Sequence, residues 1–109
     1  MTLIPLASID DVPENGSLAI SVDDHNLLVV RSAAGLFAIE NMCSHAYQRL
    51  EGGKVRGPHI FCPMHGIRFD MRDGCPSGKL TDKPIKVWHA ELVDGQVMVD
   101  FTQRRDNGA

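Results

Sequence analysis

Two short units in the middle of the chain each pair a cysteine with a histidine: Cys43-Ser44-His45 and Cys62-Pro63-Met64-His65. Both lie in a stretch rich in glycine and proline, so we expect them on loops. The short spacing within a unit lets its thiolate and its imidazole converge on one centre. Two thiolates and two imidazoles suit either a zinc ion or an iron–sulfur centre of mixed ligation.

The order of these four side chains favours the iron–sulfur centre. Zinc fingers of the Cys₂His₂ type place a cysteine pair first and a histidine pair second, commonly with the histidines on a helix. Here each unit holds one residue of each kind, and neither unit has a helical pattern. A two-iron centre would take Cys43 and Cys62 on one iron and His45 and His65 on the other. A structural zinc module is the alternative at this point.

The sequence on either side of the two units predicts an all-β protein. Strand-like segments alternate with turn signals such as Asp94-Gly95, and no segment has the periodicity of an amphipathic helix. We therefore predict a sandwich or small barrel, with His25 in a hairpin turn, Asp100 on the polar face of the last strand and residues 102–109 frayed. The predicted strands cover residues 3–6, 17–22, 27–31, 36–40, 85–93 and 96–101.

Length and composition limit the classes of function. A chain of 109 residues predicts a single domain, residues 1–109. The formal net charge is −3, and no basic stripe typical of nucleic-acid binding is present. No apolar run is long enough to span a bilayer, and the first residues do not form a secretory signal. The odd cysteine count favours metal or redox chemistry in a reducing compartment, so we expect a cytoplasmic protein that binds neither nucleic acid nor membranes.

The two units resemble the cluster-binding boxes of the Rieske family, C-x-H and C-P-x-H-G. Phe69-Asp70 and the turn at Gly74 are similar to the segment that follows the second box, and the similarity extends over essentially the whole chain. The resemblance implies two antiparallel sheets, a β-sandwich that carries a small cluster-binding subdomain at about residues 41–83. It also implies one [2Fe–2S] cluster per chain, held by Cys43, His45, Cys62 and His65.

The same resemblance implies a one-electron carrier that is not itself an enzyme. Such ferredoxins pass electrons from a flavin-dependent reductase to the terminal oxygenase of an aromatic-ring-hydroxylating dioxygenase system. Only His89 follows His65, which leaves no second iron site of the kind an oxygenase subunit needs. An accessory Rieske-like subunit of an assimilatory reductase is the alternative. Some of those subunits lack the ligands, whereas this chain has all four.

The chain departs from the high-potential members of the family. Those members have an additional cysteine in each box and a serine and a tyrosine beside the second box. Here Gln48 and Met64 occupy the cysteine positions, and Ile67 and Phe69 occupy the positions of the serine and the tyrosine. Neither Ile67 nor Phe69 can donate a hydrogen bond to a sulfur atom. We therefore expect a reduction potential at the low end of the Rieske range.

Several other residues near the two units receive lesser roles. Cys75 has no histidine partner unit, so we predict a packed or loop thiol and not a ligand. We expect His59 to face solvent or the sheet, His89 to be structural, and Gly66 to let the backbone approach the cluster. The predicted rim of the imidazole pair, which would either dock on a partner or shield the cluster, consists of Ala46, Tyr47, Gln48, Pro63 and Met64.

Overall fold

The structure is a computed structural model that describes residues 2–44, 48–64, 66–78 and 81–106. Ten strands and one short 3₁₀ helix make up the regular structure of these ranges, and every pair of neighbouring strands is antiparallel. The strands are β1 (Ile4–Ser8), β2 (Gly16–Val22), β3 (His25–Ser32), β4 (Gly35–Glu40), β5 (Val55–Arg56), β6 (His59–Phe61), β7 (Arg68–Asp70), β8 (Pro76–Ser77), β9 (Val87–Val93) and β10 (Gln96–Arg104).

Six of these strands form one sheet in the order β1-β10-β9-β4-β3-β2. Tight hairpins join β2 to β3, β3 to β4 and β9 to β10. The β9–β10 turn confirms its sequence signal, because Asp94 and Gly95 both adopt positive φ, at 50° and 78°. The pairing of Ala38 with Trp88 on β9 joins the two halves of the sheet.

The other four strands form a small sheet in the order β5-β6-β7-β8. All of them lie in the sequence between β4 and β9, the region in which both cysteine–histidine units occur. The loop from β4 to β5 carries the first unit, and the turn from β6 to β7 carries the second. The small sheet therefore holds the second unit, while the first connects it to the large sheet.

One buried cluster of side chains links the two sheets. Leu28 and Val30 of β3 belong to it together with Ile60 of β6 and Phe69 of β7. The apolar run from Leu27 to Val30, which predicted a buried strand, is fully buried on both faces of β3. Residues of both loops, among them Cys43 and Cys62, belong to this shared core.

One local prediction is wrong at the start of the chain. His25 does not lie in a turn: it is the first residue of β3 and pairs with Val22, because Asp23 adopts φ 52° and allows a two-residue turn. A short 3₁₀ helix also occurs at Ile9–Asp11, where the Ser8 hydroxyl accepts a hydrogen bond from the N–H of the residue two positions on. No helix of the described ranges is long and apolar enough to cross a membrane.

The predictions for the C-terminal strand are also corrected. β10 continues to Arg104, and Asp106 beyond it is buried, so the tail is ordered at least as far as Asp106. Asp100 is buried rather than solvent-facing. Its carboxylate accepts hydrogen bonds from the Thr102 N–H at 2.9 Å and the Gln103 amide at 2.9 Å. These bonds hold the irregular pairing that follows Asp100 and satisfy the buried charge.

Candidate metal centre

The first cysteine–histidine unit lies on a loop that is closed at its base by two hydrogen bonds. Cys43 is completely buried, and its N–H donates to the carbonyl oxygen of Gln48 at 2.6 Å. One step outward, the buried side chain of Asn41 accepts a hydrogen bond from the Glu51 N–H at 3.0 Å. Sequence analysis did not single out Asn41. These contacts fold the loop back on itself around Cys43.

The second unit lies in a tight turn between β6 and β7. The Cys62 N–H donates to the Ile67 carbonyl at 2.8 Å, and the Gly66 N–H donates to the Cys62 carbonyl at 2.8 Å. Gly66 adopts φ 69°, which L side chains rarely adopt, and a Cβ there would meet open space. These two hydrogen bonds fix the backbone of the turn at Cys62. The Cys62 residue is only 2% exposed.

The structure brings the two predicted thiol ligands into the same buried cluster. Cys43 and Cys62 both belong to it, among Leu50, Ile60 and Ile67. The two predicted imidazole ligands, His45 and His65, lie outside the described residues. No group of three or more histidine, cysteine, aspartate or glutamate side chains suited to a metal ion occurs in the described ranges. The four-ligand set therefore stays a prediction.

A glycine that sequence analysis overlooked brings the two loops together. A Cβ at Gly53 would lie 2.2 Å from the Phe61 carbonyl oxygen and 2.9 Å from that of Leu50. Phe61 directly precedes Cys62, and its N–H donates to the Lys54 carbonyl at 2.9 Å. The end of the first loop thus lies against the start of the second at a distance that only glycine allows. Its place as the second of two consecutive glycines was the only sequence signal.

Cys75 lies elsewhere, in the turn between β7 and β8. It is half-buried, its N–H donates to the Asp73 carboxylate at 3.0 Å, and its carbonyl accepts from the Asp70 N–H at 2.8 Å. It is not a member of the buried cluster that holds Cys43 and Cys62. Cys75 is therefore a partly buried residue of a turn outside that cluster.

The histidines within the described ranges have partners of their own. His59 Nε2 lies 3.9 Å from an Asp70 carboxylate oxygen, and the His25 ring stacks on Phe101 with 4.3 Å between ring centroids. His89 contacts Arg105 through Nδ1 at 2.6 Å and Glu91 through Nε2 at 2.8 Å.

Ion pairing stabilises the turn that follows β7. The Asp70 carboxylate accepts from Arg72 Nε at 3.0 Å, from its Nη2 at 2.7 Å and from its backbone N–H at 2.9 Å. The side-chain hydrogen bond from Arg72 is the main cause of a lowered pKa for Asp70, which burial partly offsets. The charged pair is structural, and it fixes the turn that leads to Cys75.

The residues present fit a mixed-ligand iron–sulfur group. Two buried cysteines share one cluster on adjoining loops, which is the arrangement that two thiolates on one iron require. Each is followed in the sequence, after one or two residues, by a histidine. Two thiolates and two imidazoles are the donor set that raises the potential of a [2Fe–2S] centre.

Comparison with protein families identifies the class. The family described as "Rieske [2Fe-2S] domain" matches residues 2–89. The chain belongs to the Rieske [2Fe–2S] family, and a Rieske-type cluster is its cofactor. Its all-β fold with two antiparallel sheets is the Rieske fold, as expected from the two boxes.

The relatives narrow the class to ferredoxins. The anthranilate 1,2-dioxygenase ferredoxin subunit of Burkholderia cepacia is 34% identical over 96 residues, covering 88% of this chain and 89% of that protein. The ferredoxin of carbazole 1,9a-dioxygenase from Nocardioides aromaticivorans IC177 has 30% identity and a TM-score of 0.82, covering 91% of this chain and 97% of that one. Relatives of this kind are electron carriers, and so is this chain, which is not a catalytic subunit.

A third match concerns a ferredoxin in an assembly. The structure described as "Complex of reduced oxygenase and oxidized ferredoxin in carbazole 1,9a- dioxygenase" contains a chain 26% identical to this one, with a TM-score of 0.79. The match covers 89% of this chain and 91% of that one.

Proposed function

We propose that Cys43, His45, Cys62 and His65 hold the [2Fe–2S] cluster of this ferredoxin. The chain then passes single electrons from a flavin-dependent reductase to the terminal oxygenase of an aromatic-ring-hydroxylating dioxygenase system in the cytoplasm. The burial of Cys43 and Cys62 in one cluster, on loops that contact each other at Gly53, carries the proposal. The whole chain, residues 1–109, would be one domain, with residues 41–83 as its cluster-binding subdomain.

Each loop contributes one thiolate and one imidazole in this proposal. When bound, the cluster supplies a centre that accepts and returns one electron. The chain's own part is to hold Cys43 and Cys62 away from water and to keep both loops closed through their backbone hydrogen bonds. Buried ligands and closed loops limit rearrangement around the centre when its charge changes.

The surface beside the second unit supports a docking role. Pro63 is exposed, and Met64 is 61% exposed, the most exposed of the large apolar side chains in the described ranges. A small apolar patch next to a redox centre suits the transient encounters of electron carriers. The oxygenase–ferredoxin complex found for carbazole 1,9a-dioxygenase supports an oxygenase as the partner.

The test of this function is the EPR spectrum of the dithionite-reduced protein, with iron, sulfide and zinc quantified on the same sample. We expect a rhombic signal of low average g and two irons and two sulfides per chain. An EPR-silent protein that holds one zinc ion would overturn the proposal.

A second test is electron transfer to the partner. We expect the purified terminal oxygenase of an aromatic-ring-hydroxylating dioxygenase system to oxidise the reduced protein rapidly. A stable stoichiometric complex with a reductase would instead indicate the accessory subunit.

Single substitutions test the proposed ligand set. We expect Cys43→Ser or His65→Ala to abolish the visible absorption of the cluster, because each removes one of the four proposed iron ligands. Cys75→Ser is the matched control, since Cys75 lies in a separate turn, and its spectrum should equal that of the unsubstituted protein. Loss of the cluster in Cys75→Ser would contradict the proposed ligand set.

A further inference from the structure

The hydroxyl group of Ser44 joins the first ligand loop to a distant segment of the chain. Ser44 lies between Cys43 and His45 in the sequence, and its Oγ donates to the Lys83 carbonyl oxygen at 2.6 Å. Ser44 Oγ also lies 3.3 Å from Thr81 Oγ1. Thr81 Oγ1 in turn accepts a hydrogen bond from the Lys83 N–H at 3.2 Å. Three residues therefore meet at one point beside the proposed ligands.

The number of available protons decides which atom donates and which accepts in each of these hydrogen bonds. A serine hydroxyl has a single proton, and Ser44 gives its proton to the Lys83 carbonyl. The proton in the contact between the two hydroxyls must then come from Thr81. The result is a closed ring in which the Lys83 N–H donates to Thr81, Thr81 donates to Ser44, and Ser44 donates to the Lys83 carbonyl. Bonds arranged head to tail in this way strengthen one another.

The segment that closes the ring is also anchored on its other side. Lys83 is followed by Pro84, which fixes the backbone, and then by Ile85, which is completely buried. The Ile85 N–H donates to the Gly74 carbonyl at 3.0 Å. The core therefore holds one end of this segment, and Ser44 holds the other end against the first ligand loop.

We propose that Ser44 is a positioning residue that clamps residues 81–83 against the loop carrying Cys43 and His45, so that water is kept from the cluster on that side. The proposal rests on the proposed function, because it assigns Ser44 a role toward the cluster that its two sequence neighbours hold. The clamp acts through the short bond to the Lys83 carbonyl, and the two longer bonds of the ring orient that bond.

Removal of the hydroxyl should loosen the clamp and expose the cluster. In Ser44→Ala the Lys83 carbonyl loses its donor and Thr81 loses its acceptor, so we expect the Lys83 amide to exchange with solvent about tenfold faster. Bleaching of the visible absorption should accelerate by about the same factor. The reduction potential should rise, because the centre gains a negative charge on reduction and water stabilises that charge.

Three further variants separate a clamp from a general loss of stability. Ser44→Thr keeps a hydroxyl and should restore the potential and the lifetime of the cluster. Thr81→Val should change the potential and the bleaching rate less and in the same direction, because it leaves the short bond from Ser44 to the Lys83 carbonyl in place. It should speed exchange of the Lys83 amide at least as much as Ser44→Ala does, because it removes the acceptor of that N–H. In the Ser44→Ala background, Thr81→Val should add nothing to the potential or the bleaching rate, since the clamp is already lost. Ser77→Ala, at an exposed serine on β8, is the control without an effect.

The experiment measures the exchange of the Lys83 amide, the bleaching rate, the EPR spectrum and the midpoint potential for each variant. The clamp is wrong if Ser44→Ala matches the unsubstituted protein in exchange and potential, or if the effects of Ser44→Ala and Thr81→Val on the potential and the bleaching rate simply add. Absence of a Rieske signal from the unsubstituted protein would instead refute the proposed function. In that case the Lys83 exchange still shows whether the ring exists.

Discussion

At the scale of single residues, Gly53 allows a close backbone contact between the two loops. Alanine at this position would place its Cβ 2.2 Å from the Phe61 carbonyl, an overlap that only a shift of backbone can relieve. We expect Gly53→Ala to push the two ligand loops apart and to lower both the stability and the cluster content. Gly52→Ala is the control: φ is 85° there but the space is open, so only about 1–2 kcal/mol of backbone strain results.

Urea unfolding and iron quantification of the two variants test this account. Gly53→Ala should bind less than half the iron of Gly52→Ala when both are expressed in the same way. Equal iron content in the two variants would show that the contact between Gly53 and Phe61 does not set the separation of the loops.

At the scale of elements, the extension of β10 is held by a buried carboxylate. Asp106 accepts from Arg104 Nε at 2.5 Å and Nη2 at 2.6 Å, and from the Val87 N–H at 3.1 Å. The Arg104 side-chain bond is the main reason why the pKa of Asp106 lies below its usual value. Because the folded pKa is depressed, this stabilisation is present above the unfolded pKa of about 4 and is lost as the pH falls through the folded pKa.

We therefore expect Asp106→Asn to lower the free energy of unfolding by about 1–2 kcal/mol at pH 7, because the amide keeps an acceptor for Val87 but loses the charge opposite Arg104. The difference from the unsubstituted protein should shrink as the pH falls from 4 toward 2. Urea unfolding across this range checks it, with Asp24→Asn, at an exposed turn, as the control. A difference that does not depend on pH would assign the effect to packing.

At the scale of the whole molecule, the net charge and two apolar side chains beside the second unit both act on the reduction potential. The protein carries a formal net charge of −3, and reduction of a neutral centre adds one more negative charge. Ile67 and Phe69 are both buried, and neither can donate a hydrogen bond to a sulfur. We expect a midpoint in the lower part of the range from about −150 to +300 mV. A redox titration that gives a value above about +100 mV would contradict this expectation.

Much of this protein is determined by its local sequence. The two cysteine–histidine units predict the kind of cofactor and the loops that hold it, and Asp94-Gly95 predicts its hairpin, because the chemistry of ligands and the φ preference of a turn are properties of a few neighbouring residues. The run Leu27–Val30 predicts a buried strand for the same reason: a continuous apolar segment must be covered on both faces.

The tertiary structure decided what depends on residues far apart in the chain. The pairing of β4 with β9, the hydrogen bond from the Val87 N–H to Asp106 and the contact between Gly53 and Phe61 join residues that are separated in the sequence. Each results from a close approach of distant backbone or from a polar group that finds its partner only in the folded chain. Pattern in the sequence predicts which side chains bind the cluster, because ligand chemistry belongs to single residues. Packing decided which residues bury Cys43 and Cys62 and close the backbone around them.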